Sequence, residues 1–303
     1  MQTPPYLKKK DKIRIVAPAR KISQGEVGAS KNVFESWGLH VEYGRHLFGK
    51  HHQFSGTDAE RLEDFQAALD DPEVRAIVCA RGGYGSVRII DDLDFSRFQQ
   101  APKWIIGYSD ITVFHSHINR HYNTETLHAE MPLNFGKEKT KAETIKSLKA
   151  ALFGKKISYG FPGNAKNRPG SATGKLCGGN LSMLYSLNGS PSDIETEGKI
   201  LFLEDLDEYL YHVDRMMMNL KRSDKFARPA AVMIGGMSDM NDNAVAFGKN
   251  AQEIICDILG ETDYPLCFGF PAGHIPDNRA LIMGREASLE INESGARLEF
   301  GEE

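Results

Sequence analysis

The first half of the chain alternates short hydrophobic runs with stretches in which hydrophobic residues recur every three or four positions. Such runs predict β-strands and such spacing predicts helices; in one stretch Leu62, Phe65 and Leu69 fall on one helical face. The predicted strands are 12–17, 39–43, 75–80 and 103–106, and the predicted helices are 24–37, 58–69 and 87–93. The run at 75–80 is nearly all apolar, as in a parallel strand covered on both faces. This alternation predicts an α/β domain with a parallel sheet and right-handed crossovers.

The pattern changes near the middle of the chain. Residues 154–179 are dominated by Gly, Pro, Ser, Asn and Lys, a composition typical of a linker or a domain boundary. Beyond them we predict strands at 199–203, 230–234, 287–291 and 296–300 and helices at 209–221 and 251–259. We therefore expect an N-terminal domain at 1–153, a linker at 154–174 and a smaller, β-rich and barrel-like α/β domain at 175–303.

Composition and charge narrow the class of protein. The 303 residues are enough for two domains, and 41% hydrophobic and 26% charged residues are typical of globular chains. A net charge of −4 gives no electrostatic reason to expect nucleic acid or a membrane surface as a partner. No apolar stretch approaches the roughly 18 residues that span a bilayer, and the N-terminus lacks a signal-peptide core. The four cysteines show no CxxC spacing, so we expect free thiols and a cytoplasmic protein.

A serine stands where an apolar strand meets a helix, in the segment WIIGYSDIT at 104–112. Ligands gather at the carboxyl ends of parallel strands, and a sharp strand-to-helix turn lifts a side chain clear of the main chain. Ser109 therefore fits the position of a nucleophile, although the Gly-x-Ser-x-Gly pattern is incomplete. On this segment alone the alternative is commoner, namely that Ser109 or Asp110 merely caps the helix.

Two further segments contain the partners that a serine nucleophile needs. Glu204 follows the predicted strand 199–203, and His274 stands in a tight loop just past another apolar run. A serine hydroxyl needs a base to take its proton, and the base needs a third group to orient it. Taken singly, a loop histidine and a solvated carboxylate are the commoner interpretations of these two residues.

A glycine-rich loop, Arg81-Gly82-Gly83-Tyr84-Gly85, follows the predicted strand that ends at Ala80. Its glycines can turn main-chain N–H groups inward, an arrangement that stabilises an oxyanion. The alternative is the phosphate-binding loop of a nicotinamide-dependent oxidoreductase. Against that alternative, the motif lacks a third glycine, and no acidic residue ends a strand about 20 residues later.

Five segments resemble those of the LD-carboxypeptidase family, which includes the microcin C immunity-type serine peptidases. They are CARGGYGSVRII (79–90), WIIGYSDIT (104–112), LCGGNLSMLYSLNGSPSDI (176–194), ILFLEDLDE (200–208) and FGFPAGHIPDN (268–278). They follow the family's order over nearly the whole chain. The resemblance implies an N-terminal flavodoxin-like parallel sheet with helices on both faces, a β-rich C-terminal domain and a homodimer.

The resemblance also implies site residues and a reaction. The Ser-Glu-His triad falls on Ser109, Glu204 and His274, and the oxyanion hole falls on the main-chain N–H groups of Gly83 and Asp110. The implied reaction is serine-type hydrolysis of the bond to the terminal D-Ala of murein tetrapeptide, a step of peptidoglycan recycling, with no metal or cofactor. One segment departs from the family: where members often have His-Gly-Pro, this chain has residues 128–130 as His-Ala-Glu, which bears on the shape of the substrate pocket.

A carboxypeptidase must recognise a free carboxylate, and a planar guanidinium can bind both of its oxygens. By proximity to the motifs the candidates are Arg81, Arg215 and Arg279, which the sequence does not rank. Each of them has a structural salt bridge as its alternative role.

Other polar residues near the motifs are expected at the surface. His51, His52, His115 and His117 lack partners at metal-ligand spacing, so we predict surface histidines and no metal site. The acidic residues that follow Glu204, namely Asp205, Asp207 and Glu208, are expected to be solvated.

Three rival functions stay open at this point. Within the family, a microcin C immunity-type peptidase would cleave a peptidyl-nucleotide amide and would need an aromatic or adenine-accepting surface in the second domain. Outside it stand a nicotinamide-dependent oxidoreductase and a non-catalytic binding module.

Overall fold

The computed structural model describes residues 1–301, which form two compact units. Unit 1 comprises Met1–Lys155 and Pro276–Ile282, and unit 2 comprises Lys156–Ile275 and the chain from Met283 onward. Within residues 1–301 no helix combines the length and the apolar character needed to cross a membrane.

The strands and helices are numbered in chain order. The strands are β1 (Lys12–Val16), β2 (His40–Tyr43), β3 (Val74–Cys79), β4 (Trp104–Gly107), β5 (Thr126–His128), β6 (Ser158–Pro162), β7 (Gly170–Asn180), β8 (Ile200–Leu206), β9 (Ala231–Ser238), β10 (Leu266–Phe268), β11 (Leu281–Met283), β12 (Glu286–Asn292) and β13 (Gly295–Phe300). The α-helices are α1 (Gln24–Ser36), α2 (Asp58–Asp70), α3 (Ser96–Gln100), α4 (Thr112–Tyr122), α5 (Ala142–Leu152), α6 (Leu181–Leu187), α7 (Leu210–Arg222) and α8 (Ala251–Leu259).

Unit 1 is built on a six-stranded sheet in the order β11-β5-β4-β3-β1-β2. The pairs β1–β2, β1–β3, β3–β4 and β4–β5 are all parallel, which confirms the predicted α/β class. Helices α1 and α2 begin in capping boxes, Ser23 with Glu26 and Thr57 with Glu60. The predicted helix at 87–93 is instead two short 3₁₀ turns, Ser86–Arg88 and Ile90–Asp92, because Ile89 between them has a φ of −121°, which interrupts the helix.

Unit 2 contains a seven-stranded sheet in the order β10-β9-β8-β7-β12-β13-β6. Strands β7 to β10 pair in parallel, and β7, β12, β13 and β6 pair antiparallel. Apolar residues of β8, β9, α7 and α8 share one buried cluster. The sheet is therefore mixed, and the barrel-like form stays a prediction.

The segment predicted as a linker contains ordered strands. Strand β6 and the first half of β7 fall within 154–174, and β6 alternates exposed and buried residues as it pairs with β13. The prediction from composition differs from the structure because glycine and proline are compatible with a strand at a sheet edge. The partner of this strand comes from the distant C-terminal end of the chain.

Candidate active site

Ser109 lies at a sharp turn between β4 and α4 in unit 1. Strand β4 ends at Gly107, a 3₁₀ turn spans Ser109–Ile111, and α4 follows from Thr112. The φ angle of Ser109 is +66°, in the left-handed region that few residues other than glycine adopt. Such strain costs on the order of 1–3 kcal/mol and is found mainly at functional sites. The main chain therefore presents this serine in a conformation that its own preferences disfavour.

The glycine-rich loop packs directly against this serine. A methyl group placed on Gly82 would lie 2.9 Å from Ser109 Cβ, 3.0 Å from Ser109 Oγ and 3.3 Å from the main-chain N of Asp110. The predicted loop and the predicted nucleophile are thus brought together within unit 1. Any residue larger than glycine at position 82 would have to displace one of them.

The Asp110 side chain is buried beneath the same loop. Its Oδ2 accepts a hydrogen bond of 2.9 Å from Ser86 N. Burial raises the pKa of the Asp110 carboxyl, while the Ser86 hydrogen bonds and the Gly85 N–H oppose that rise. Sequence reasoning considered Asp110 as a helix cap and as a main-chain oxyanion donor, and it missed this side-chain contact because the two ends of the bond are 24 residues apart.

A neutral histidine supports the end of β4. His115 Nε2 lies 2.8 Å from Gly107 O, and its Nδ1 lies 2.9 Å from Thr126 Oγ1. Burial lowers the pKa of His115 to about 4, so the ring donates to the carbonyl and accepts from the hydroxyl.

The prediction of surface histidines is therefore right for one pair and wrong for the other. His51 and His52 are exposed, whereas His115 and His117 are buried on α4. The spacing of the second pair reveals only that their rings point apart, and tertiary packing on both sides of α4 decides their burial. Across the described residues 1–301, no group of three or more His, Cys, Asp or Glu could hold a metal ion.

In unit 2 the structure brings Glu204 and His274 together. Glu204 lies near the end of β8 with its side chain fully buried, and its Oε2 lies 2.7 Å from His274 Nδ1. The same oxygen accepts a second hydrogen bond of 3.2 Å from His274 N. The carboxylate therefore holds both the ring and the main chain of the histidine.

Gly273 makes this approach possible. Its φ is +103°, and a methyl group there would lie 2.6 Å from Glu204 Oε2 and 2.8 Å from Glu204 Cβ. A side chain at position 273 would thus be strained and would push the carboxylate away.

Asp205 is buried rather than solvated, which corrects the sequence prediction for this residue. Its Oδ1 accepts hydrogen bonds of 2.9 Å from Asn180 Nδ2 and Leu206 N, and its Oδ2 accepts one of 2.9 Å from Ser182 N. Burial, followed by the neighbouring Glu204 charge, raises the pKa of Asp205 to about 7. The sequence shows that a second carboxylate, Asp205, directly follows Glu204. It does not show that Asp205 has hydrogen-bond partners on β7 and α6.

The other acidic residues after Glu204 and the three candidate arginines each contact different neighbours. Asp207 is exposed, and Glu208 Oε2 lies 2.5 Å from His212 Nδ1. Arg81 Nη1 donates to Lys21 O at 3.1 Å, and within residues 1–301 its buried Nε has no hydrogen-bond partner.

The other two arginines are engaged by neighbours of their own. Arg279 pairs with Asp277, with Nη2 to Oδ2 at 2.9 Å. The Arg215 guanidinium lies over the Tyr211 ring, 5.4 Å from its centroid.

Comparison with known proteins decides the family. The profile of the LD-carboxypeptidase N-terminal domain matches residues 13–129, and that of the LD-carboxypeptidase C-terminal domain matches residues 173–289. The probable murein peptide carboxypeptidase of Bacillus subtilis is 32% identical over 301 residues, covering 98% of this chain and 94% of that protein. The chain belongs to the LD-carboxypeptidase family. It is therefore a serine-type peptidase, a hydrolase, and the oxidoreductase and binding-module alternatives are set aside.

Other proteins resemble this LD-carboxypeptidase over nearly its whole length. The murein tetrapeptide carboxypeptidase of Pseudomonas aeruginosa is 30% identical over 295 residues, covering 93% of this chain and 94% of that protein. The crystal structure of muramoyltetrapeptide carboxypeptidase from Oxalobacter formigenes matches with a TM-score of 0.88 at 26% identity, over 96% of this chain and 99% of that chain. An MccF-like protein from Bacillus anthracis has a TM-score of 0.87 at 24% identity over 100% of both chains, and this likeness concerns the fold alone.

Proposed function

We propose that this LD-carboxypeptidase hydrolyses the bond to the terminal D-alanine of murein tetrapeptide through an acyl-enzyme. Ser109 is the nucleophile, His274 the base and Glu204 the residue that orients the base. The names of the relatives from Bacillus subtilis, Pseudomonas aeruginosa and Oxalobacter formigenes support the murein-peptide substrate.

The observation that carries the proposal is the fully buried Glu204 carboxylate 2.7 Å from His274 Nδ1. A carboxylate at Nδ1 holds the proton on that nitrogen and makes Nε2 the basic atom of the ring. In the first step His274 Nε2 takes the Ser109 proton while Oγ attacks the carbonyl that precedes the D-alanine. Glu204 stabilises the imidazolium that forms.

The oxyanion is assigned to the main-chain N–H groups of Gly83 and Asp110. The packing of Gly82 against Ser109 Oγ and Asp110 N supports this assignment, since the loop lies beside the attacking oxygen. Asp110 N also belongs to the first turn of a helical segment, where N–H groups favour negative charge. Loss of one such donor typically lowers the rate by about 10²–10³.

The rest of the cycle follows from the same groups. His274 gives its proton to the leaving amine, which departs as D-alanine and leaves the acyl group as an ester on Ser109. A water molecule, deprotonated by His274, then hydrolyses that ester, and the proton returns to Ser109.

Among the three candidate arginines, Arg81 is favoured for the substrate carboxylate. It directly precedes Gly82, its Nε has no hydrogen-bond partner in the described part of the chain, and Arg279 and Arg215 already engage Asp277 and Tyr211. Replacing Arg81 by Met is expected to raise KM while leaving kcat nearly unchanged, because a ground-state contact is lost.

The test is mass spectrometry of L-Ala-D-iGlu-meso-diaminopimelate-D-Ala after incubation with the protein. Wild type and an EDTA-treated sample are expected to remove one alanine, and Ser109→Ala is expected to leave the peptide intact. Ser36→Ala, a surface serine near the end of α1, is the matched control and should cleave normally. Cleavage by Ser109→Ala would refute the nucleophile, and an intact peptide with wild type would refute the substrate.

A second candidate function within the family is cleavage of a peptidyl-nucleotide. Tyr209 and Tyr211 at the start of α7 are 44% and 42% exposed, and their ring centroids lie 5.8 Å apart. Such a pair offers stacking area to a nucleobase, which is the aromatic surface that this function needs. Calorimetry with aspartyl sulfamoyl adenosine tests it: binding that Tyr211→Ala weakens favours this substrate, and no binding excludes it.

We also propose that the protein is a homodimer and that it is located in the cytoplasm. Sedimentation velocity of the purified chain tests the first, and fractionation of the producing cells tests the second.

A further inference from the structure

A buried arginine on α2 reaches the glycine-rich loop. Arg61 is 1% exposed, and its Nη1 donates to two main-chain carbonyls, Pro18 O and Gly85 O, the latter at 2.9 Å. Its Nη2 pairs with Asp58 one turn earlier on the helix. The guanidinium thus ties the loop after β1 to the loop after β3, and both loops lie at the carboxyl ends of the parallel sheet.

The loop has the residue that this contact requires. Gly85 has a φ of +151°, and a methyl group there would lie 2.7 Å from Arg61 Nη1 and 2.9 Å from Ala19 Cα. Only glycine lets the main chain approach the guanidinium so closely.

The other side of the same peptide group is held by Asp110. Gly85 C=O and Ser86 N–H belong to one peptide plane; the carbonyl accepts from Arg61, and the N–H donates to Asp110 Oδ2 at 2.9 Å. A buried guanidinium and a buried carboxyl group thus hold opposite ends of this single peptide and fix its orientation. The residue that supplies the carboxyl group also follows Ser109 in the chain.

This fixation matters because the loop is otherwise free to change shape. Three of its four residues from position 82 to position 85 are glycine, which loses more conformational freedom on ordering than any other residue. An oxyanion donor is effective only when its direction is set before the reaction. The Gly83 N–H lies in this loop, two residues before the peptide that Arg61 and Asp110 hold.

We propose that Arg61 is a positioning residue for catalysis, which together with the Asp110 carboxylate orients the Gly82–Gly85 loop and thereby the Gly83 N–H for the oxyanion. This inference rests on the proposed function of Ser109 and its loop. Lysine is a poor substitute for Arg61, because one ammonium lacks the planar fork that reaches two carbonyls and a carboxylate at once.

The test compares Arg61→Met and Arg61→Lys with a matched control, Arg14→Met. Arg14 lies in the same unit and also donates to a main-chain carbonyl, Ala67 O, and to the carboxylates of Glu42 and Asp71. We expect Arg61→Met to lower kcat about 100-fold with KM within about threefold, as when an oxyanion donor is lost. Arg61→Lys should recover part of that loss, and Arg14→Met should keep wild-type kcat.

A second measurement separates positioning from general damage. A peptide boronic acid, with boron in place of the scissile carbonyl, becomes tetrahedral on Ser109 and so mimics the transition state. Its affinity should fall in parallel with kcat/KM in Arg61→Met, while the affinity for the product tripeptide stays unchanged. Equal loss of both affinities, or a kcat within about threefold of wild type in folded Arg61→Met, overturns the inference.

A third measurement needs no cognate substrate. Labelling of Ser109 by a fluorophosphonate places a phosphoryl oxygen at the oxyanion position, and it should be slower in Arg61→Met and Arg61→Lys than in Arg14→Met. If wild type leaves the tetrapeptide intact but this order of labelling rates holds, the proposed substrate fails and the role of Arg61 stands. If wild type cleaves the tetrapeptide and the labelling rates are equal, Arg61 has no positioning role.

Discussion

In unit 1 the candidate nucleophile is placed by the main chain, whereas in unit 2 the candidate base is held by side chains, among them the Glu204 carboxylate. Ser109 adopts a φ of +66° and packs against Gly82, so its position depends on the geometry of the main chain. His274 is held by the buried carboxylate of Glu204, which binds its ring and its main-chain N–H, and Ser238 Oγ donates to its carbonyl at 3.0 Å. We therefore expect activity to be lost in unit 1 when a substitution adds atoms near Ser109. In unit 2 we expect it to be lost when a substitution removes the charge of Glu204.

The largest effect is expected from removing that charge. Glu204→Gln keeps the shape of the side chain but no longer holds the proton on His274 Nδ1, and we expect kcat to fall by about 10⁴. Steady-state cleavage of the tetrapeptide measures it. Glu63→Gln, which changes the exposed His46–Glu63 pair at 3.1 Å, is the control and should keep full activity. A loss below about tenfold in Glu204→Gln would contradict the role of the carboxylate.

The next effect concerns pH and the second buried carboxylate of unit 2. The pKa of Asp205 is about 7 in the folded protein, raised by burial and then by Glu204, whereas an unfolded aspartate has a pKa of about 4. The folded state therefore holds a proton that the unfolded chain releases, so this group makes the free energy of unfolding fall as pH rises from about 4 to about 7. The fall amounts to about 3 kcal/mol between pH 5 and pH 8, since one pKa unit corresponds to about 1.4 kcal/mol.

Urea unfolding at these two pH values measures this change. Asp205→Asn is expected to flatten the pH dependence, because the group that titrates is gone. A wild-type slope of the opposite sign, or an unchanged slope in the variant, would show that Asp205 is already ionised when folded.

Two glycines in the loop that contains His274 allow the effect of main-chain strain to be separated from the effect of a collision with Glu204. Gly269 and Gly273 both have positive φ, +81° and +103°, but a methyl group would meet nothing within 4 Å at Gly269 and would collide with Glu204 at Gly273. We expect Gly269→Ala to cost about 1 kcal/mol of stability and to keep activity. Gly273→Ala should cost more and should also lower kcat. Equal losses of stability and activity in the two variants would mean that the contact with Glu204 is unimportant.

The smallest effect concerns the main chain of Ser109. Ser109→Gly relieves a left-handed conformation that Ser109→Ala retains, so the glycine variant should be more stable than the alanine variant by about 1 kcal/mol. Both variants should be inactive. Urea midpoints of the two variants test this, and an equal stability would argue against strain at this turn.

Much of the first sheet was predictable from the hydrophobic pattern. The runs at 12–17, 75–80 and 103–106 become β1, β3 and β4, and the nearly all-apolar run at 75–80 is typical of a strand that is covered on both faces. The three-residue strand β11 had no comparable signal, since so short a segment has no measurable period, whereas β10 lies in the apolar run that precedes the His274 loop. The pairing of β11 in the sheet, rather than its own residues, makes it a strand.

By itself, the sequence determined the residue types of the site and their order along the chain: a serine after a strand, a glycine-rich loop and a carboxylate before a loop histidine. Only the tertiary structure decided which of them meet. Glu204 and His274 are 70 residues apart, and Arg61 reaches residues 43 and 24 positions away. The burial of Asp205 and His115 was decided in the same way. The reason is physical: periodicity reports which face of an element is apolar, whereas hydrogen bonds between distant segments depend on how those elements pack.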